Sequence, residues 1–197
     1  MKMSLETPDP LHVPLSELKG QPQEDERPTW RGWIHTGVLP FVVAAGVLLI
    51  VFSDGWVAKT AAAVYFASSL LLFGNSALYH RFNWRPSAKL ALKRIDHANI
   101  VLLIAGSWTP MTMLALPAEK GLPLLIIVWA TAILGIAFRV FWVTAPRWLY
   151  VLIYIAMGVS AVFYVFDFYA ANPWMMSLIA IGGVFYIAGA IVYALKK

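Results

Sequence analysis

From Trp30 onward, apolar stretches long enough to cross a bilayer alternate with short polar breaks. Six such stretches stand out, at 36–53, 56–80, 95–116, 121–138, 148–166 and 173–195. Each runs about 18–25 residues, and at a rise of about 1.5 Å per residue a helix of that length spans a hydrocarbon core of about 30 Å. In lipid, only helices and closed barrels satisfy their own backbone groups, and no short segment here shows the alternation of a barrel strand. The pattern predicts an all-α integral membrane protein, a polytopic helical bundle. Residues 1–30 break it: Pro8, Pro10, Pro14, Pro22 and Pro28 are scattered there, Glu24, Asp25 and Glu26 cluster, and no helical period runs through them. That composition predicts a disordered tail. It is not a signal peptide, because no apolar core follows Lys2.

Composition sharpens the picture. The chain has 197 residues, 60% apolar and 13% charged; soluble domains carry about 45–50% and about 25%. A soluble fold is excluded as the default. The absence of cysteine excludes disulfides, a cysteine zinc site and thiol nucleophiles. The net charge of +5 owes its meaning to position. Arg81, Arg85, Lys89, Lys93 and Arg94 crowd the break after the second span, Arg139 and Arg147 flank the break after the fourth, and Lys196 and Lys197 follow the sixth. Lys2, Lys19, Arg27 and Arg31 precede the first span, which leaves only Lys59 and Lys120 on the opposite side. The positive-inside rule then puts the N-terminus, the basic loop 81–94 and the C-terminus in the cytoplasm, with the bundle in the cell membrane. The basic excess is an orientation signal, with contact to anionic lipid heads in addition; a nucleic-acid partner is not expected. Trp30, Trp33, Trp56, Trp84, Trp142, Trp148 and Trp174 sit near predicted boundaries, as headgroup-level rings do, whereas Trp108 and Trp129 fall inside spans. Pro110 is expected to kink the third span.

Ionisable side chains inside spans are rare and need a reason. Lys59 lies near the outer boundary and can snorkel. His80 closes the second span, with Ser76 one helical turn deeper on the same face, and Asp96 opens the third span at the same side of the membrane. A neutral imidazole and a carboxylate converging at one depth suit a divalent metal and a water, with the hydroxyl to orient it. Plainer roles stay open: an interfacial histidine beside Arg81, an aspartate paired with Lys93 or Arg94, a serine bonded to its own helix. His97 points about 100° from Asp96 around the helix, and His35 opens the first span. Catalytic zinc usually has three protein ligands plus water, and the only histidines are His12, His35, His80 and His97.

Several short motifs resemble, in this order, those of hemolysin III proteins, bacterial relatives of the progestin and adipoQ receptor superfamily. They are Arg31-Gly32-Trp33-Ile34-His35, Ser76-Ala77-Leu78-Tyr79-His80, Arg94-Ile95-Asp96-His97 and Gly106-Ser107-Trp108-Thr109-Pro110, then Gly182-Gly183-Val184-Phe185-Tyr186 with Gly189-Ala190. The resemblance runs from about Arg31 to Tyr193. It implies a seven-helix bundle with a cytoplasmic N-terminus and a Zn2+ site near the cytoplasmic face. There His80, preceded by Ser76, binds the metal and Asp96 holds the metal-bound water. Two further metal histidines are implied on a seventh helix, in a His-x-x-x-His motif that these residues do not contain. They stop at Lys196-Lys197, where the loop before that helix would begin. Residues 1–197 alone are therefore expected to lack two zinc ligands. The implied activity is hydrolysis of a lipid amide or ester, with Asp96 and Ser76 catalytic and His80 on the metal. The alternative is a non-enzymatic protein that perturbs membranes (cytolytic) or adjusts their state. Membrane lipids are the partners in either case. A transporter is disfavoured, because no inverted repeat or paired interrupted helices appear.

Overall fold

The computed structural model describes residues 29–141 and 147–195, side chains at 29, 139–141, 147, 148, 150, 161, 190 and 193–195 excepted. Nearly all of the expected tail, with His12, Trp142, Lys196 and Lys197, lies outside the described residues. The described residues are helical almost throughout, with no strand among them. The elements are α1 (Thr29–Phe52), α2 (Gly55–Arg81), α3 (Pro86–Ala115), α4 (Ala118–Phe141), α5 (Arg147–Val159), a 3₁₀ turn (Ser160–Tyr164), α6 (Val165–Ala171) and α7 (Pro173–Leu195). Among the described residues, five segments are long and apolar enough to cross a membrane: α1, α2, α3, α4, and the stretch Val151–Ala171 that joins α5 to α6. The helix α7 is also apolar, over the shorter stretch Pro173–Gly189. The molecule is an all-α polytopic membrane protein.

The largest departures from the hydropathy pattern lie in the first, third and fifth spans. The first helix begins at Thr29 rather than at 36, so His35 sits inside it instead of opening it. The third begins at Pro86 rather than at 95, which puts Lys89, Lys93 and Arg94 on a helix and shrinks the basic loop to the residues between Arg81 and Pro86. Proline at the first helical position has no N–H to leave unsatisfied and a φ already set for the helix, and the residues that follow are good helix formers whatever their polarity. The fifth span is interrupted by the 3₁₀ turn. Pro110 is held within α3, which runs through it to Ala115.

The turns are specified locally. Gly55 takes φ 75°, the left-handed conformation that lets α1 reverse into α2. Past the end of α2, the Trp84 indole N–H donates to the Leu78 carbonyl at 3.0 Å, a second donor on a carbonyl that also accepts from the Phe82 amide at 3.4 Å. Asn172 caps α7, its Oδ1 accepting from the Met175 amide at 3.1 Å.

Packing follows chain order. Helix α1 lies on α2, α2 on α3 and α3 on α4, whereas α7 lies on α5 and α6, which reach back to α3 and α4. The apolar core therefore centres on α3, where Val101, Ala105 and Trp108 are buried against Val128, Ala132 and Phe168. Two amides cross between α2 and α3 in opposite directions. The Asn99 side chain donates to the Leu71 carbonyl at 2.9 Å and the Asn75 side chain to the Leu92 carbonyl at 3.3 Å. Gly106 lets α3 close on α2 at Ser68, since a Cβ there would stand 2.0 Å from the Ser68 Oγ.

Candidate functional site

The last turns of α2 bring Ser76 and His80 to the face that meets α3, and both are buried. Asp96, three turns into α3, faces them and is buried as well. His80 Nε2 lies 3.9 Å from Asp96 Oδ2, and the Ser76 hydroxyl hydrogen-bonds to the Asp96 carboxyl. The three residues singled out in the sequence thus come together in one buried cluster. Asp96 meets Ser76 and His80 rather than Lys93 or Arg94, and Ser76 reaches across to α3 rather than only back to its own helix.

The first helix completes the surround. Gly32 packs directly on the end of α2, where a Cβ would stand 2.9 Å from His80 Cβ, 3.2 Å from the His80 carbonyl carbon and 3.3 Å from Arg81 Cγ. That approach brings Arg31 within electrostatic reach of Asp96 and of His35. It also lays Arg81 over Trp33, with Cζ 3.5 Å from the ring centroid. His35 meets the edge of Phe73, ring centroids 5.3 Å apart. His97 turns the other way: its Nδ1 lies 2.7 Å from the Lys93 carbonyl, one turn back on its own helix.

The chain matches the family described as "Haemolysin-III related" over residues 24–197. It belongs to the hemolysin III family. Among curated relatives, it is 33% identical over 159 residues to the "Hemolysin-3 homolog" of Bacillus subtilis (strain 168), an alignment covering 79% of this chain and 74% of the relative. It is 33% identical over 164 residues to the "Hemolysin-3" of Bacillus cereus, covering 82% of this chain and 74% of that protein. No solved structure matches the chain.

Whether the cluster suits zinc is decided by its donors. An imidazole and a carboxylate, buried side by side, are the right kind, and the second shell of a zinc site needs a hydroxyl or carboxylate to orient its ligands and water. Their number stops at two: among the described residues no group of three His, Cys, Asp or Glu side chains gathers, whereas catalytic zinc usually takes three protein ligands. The described residues of this hemolysin III protein fit zinc in kind and fall short in count.

Asn75, Asn99 and Gly32 do not stand out as site residues from composition or spacing, yet each sits beside the cluster. The two asparagines carried a readable signal, since an amide in an apolar span costs free energy unless it finds a partner. Gly32 carried none, because its role exists only when α1 meets α2.

Proposed function

We propose that this hemolysin III protein is a zinc-dependent hydrolase of lipid amides or esters, working in the cell membrane with its reacting groups at the cytoplasmic end of the bundle. The observation that carries the reading is the buried 3.9 Å approach of His80 Nε2 to Asp96 Oδ2, with the Ser76 hydroxyl on the same carboxyl. His80 would hold the metal, and the further donors would come from outside the described residues. Zinc, when bound, supplies a Lewis acid for a carbonyl oxygen and lowers the pKa of water toward about 7.

The chain's own groups account for the rest. Asp96 Oδ2 takes the proton from an attacking water and returns it to the leaving amine or alkoxide, as a general base and then a general acid. The Ser76 hydroxyl donates to the same carboxyl and so leaves its remaining lone pairs to accept the proton of the attacking water. Burial keeps bulk water off the cluster, and with it competing proton acceptors. A lipid substrate is favoured by the surroundings: an apolar hollow of about 230 Å³ between α1 and α2, lined by Phe41, Gly46, Tyr65, Phe66 and Ser69, ends at Phe73, one helical turn deeper than Ser76. The cytoplasmic orientation rests on the basic residues, since Arg31, Arg81, Arg85, Lys89, Lys93 and Arg94 share the end of the bundle that carries the cluster.

The experiment is turnover of a fluorogenic lipid amide and a lipid ester by purified protein, with zinc content measured alongside. His80→Ala is expected to lower both zinc content and turnover, and Asp96→Asn to lower turnover by about 10²–10⁴-fold while leaving zinc content the same. Turnover unchanged in both variants removes the mechanism. Direct lysis is the second reading, favoured by the printed names of the relatives, Hemolysin-3 and Hemolysin-3 homolog. Dye release from protein-free liposomes on adding the protein, equal in wild type and Asp96→Asn, would favour it.

A further inference from the structure

The charges at the cytoplasmic end of the bundle are unbalanced. Asp96 is the sole acidic residue there among those described, because Asp54, Glu119 and Asp167 belong to the other end. Two of the basic groups lie next to the cluster on the α1–α2 side. Arg81 is the residue after His80, and its guanidinium is stacked on Trp33 with Cζ 3.5 Å from the centroid. Arg31 precedes Gly32, the residue seated against His80, and its charge acts on Asp96. Both are exposed, and among the described residues neither lies within ion-pair distance of a carboxylate. Two guanidiniums thus stand at the seam where α1 meets α2, one of them oriented by a ring, with the reacting groups just beneath.

We propose that this seam receives the phosphate of an anionic glycerophospholipid, bound by Arg31 and Arg81, and that the substrate of the site is drawn from that lipid class. The proposal rests on Ser76, His80 and Asp96 being the reacting groups. Guanidinium is the side chain whose fork of N–H donors matches phosphate oxygens two at a time, and stacking on an aromatic face sets the plane of that fork before the ligand arrives. Trp33 is exposed and lies in the first turns of α1, at the depth where indole rings meet lipid headgroups. The depths agree with the chemistry of the lipid. A glycerophospholipid carries its acyl esters just below its phosphate, and Ser76 lies one helical turn, about 6 Å, deeper than His80. A phosphate held at Arg31 and Arg81 brings an ester toward Ser76, His80 and Asp96. The two positive charges also offset the repulsion that Asp96 exerts on an anionic headgroup.

Lipid retention tests this without turnover. The chain, in detergent with equimolar phosphatidylglycerol and phosphatidylcholine, is examined by native mass spectrometry for the lipid it keeps. Wild type is expected to retain the anionic lipid by about tenfold over the zwitterionic one. Arg31→Gln with Arg81→Gln brings the ratio near one, and Arg85→Gln with Lys93→Gln, the same charge removed from the same end, leaves it high. Should the first pair unfold the protein, Arg31→Lys and Arg81→Lys keep the charge and lose the fork, and a reduced ratio in each carries the same conclusion. No preference in wild type, an equal loss in the Arg85/Lys93 pair, or full retention in the lysine variants overturns the proposal. Displacement of the lipid by millimolar glycerol phosphate also overturns it, since the seam would then be a site for free phosphate. Retention is read without chemistry, so a His80–Asp96 pair that hydrolyses nothing leaves this ratio unmoved, and a lost preference leaves hydrolysis of neutral lipids unmoved.

Discussion

At the scale of single residues, Gly32 is where one methyl group decides whether the site assembles. A Cβ there meets His80 Cβ at 2.9 Å and the His80 carbonyl carbon at 3.2 Å. The second contact is backbone, which cannot swing aside, so the two helices must part. Overpacking of this kind typically costs about 1–3 kcal/mol. Gly37, on the same helix, has nothing within 4 Å of its Cβ position, and alanine there gains helix propensity of up to about 1 kcal/mol. Thermal unfolding in detergent is expected to show Gly32→Ala melting below wild type and Gly37→Ala at or above it. Equal melting temperatures for the two variants would mean that α1 does not bear on His80. His80 and Asp96 were legible in the sequence because an ionisable group among apolar residues announces itself. Arg31 was not, because at a helix start it looks like any orientation charge, and its reach to Asp96 depends on the glycine beside it.

At the scale of elements, the register of α2 against α3 sets the distance between His80 and Asp96, and two amides hold that register. In an α-helix the Leu92 carbonyl accepts from the Asp96 amide and the Leu71 carbonyl from the Asn75 amide. Each asparagine side chain therefore adds a donor to a carbonyl that already anchors a residue in or beside the cluster, Asn99 at 2.9 Å and Asn75 at 3.3 Å. A hydrogen bond between membrane helices is worth about 0.6 kcal/mol on average and about 2 kcal/mol at most. That is enough to broaden a register without unfolding the helices. Since the chain has no cysteine, Leu78→Cys and Ile95→Cys, both exposed, can carry spin labels on α2 and α3. Asn99→Leu is expected to broaden the distance distribution between them. Thr131→Ala removes a hydroxyl bonded only to its own helix, at the Ile127 carbonyl, and should leave the distribution as it was. The spans themselves were readable, because the length of an apolar run is set by the bilayer. Helix starts were not, since α1 and α3 begin at Thr29 and Pro86 on backbone propensity and, at Pro86, on a φ already set for the helix, which hydropathy does not register. The break at Ser160–Tyr164 was hidden too, lying in a run as apolar as its flanks. It becomes intelligible only with α7 in place: the Tyr186 hydroxyl donates to the Tyr154 carbonyl at 2.6 Å, and the Tyr186 ring fills the space where a Cβ on Gly158 would stand.

At the scale of the whole molecule, the chain-order packing divides it into a file of α1 to α4 and a group of α5 to α7 laid against α3 and α4. What joins the two is a choice between an ion pair and an apolar contact. Lys120 Nζ meets Asp167 Oδ1 at 2.6 Å, with side chains 48% and 26% exposed, and water screens pairs so exposed to a small net contribution. Phe168, fully buried, packs on Trp108 with ring centroids 6.2 Å apart. Truncating a buried Phe in a soluble core costs about 3–5 kcal/mol. In a membrane the water-transfer part of that figure shrinks, since lipid is as apolar as the ring, and the cavity with its lost dispersion contacts remains, about 2 kcal/mol. The apolar contact still outweighs the ion pair. Hydrogen exchange in nanodiscs is therefore expected to show faster exchange across α6 and α7 in Phe168→Ala, and little change in Lys120→Met. Peptides covering Ser76, His80 and Asp96 should keep wild-type protection in both variants, because the cluster lies at the other end of α2 and α3 and draws its contacts from α1. If Phe168→Ala deprotects those peptides as well, the bundle opens as one unit and the site depends on the far helices. If protection at the cluster survives, α1, α2 and α3 hold Ser76, His80 and Asp96 in place by themselves, and α5 to α7 are free to move against them.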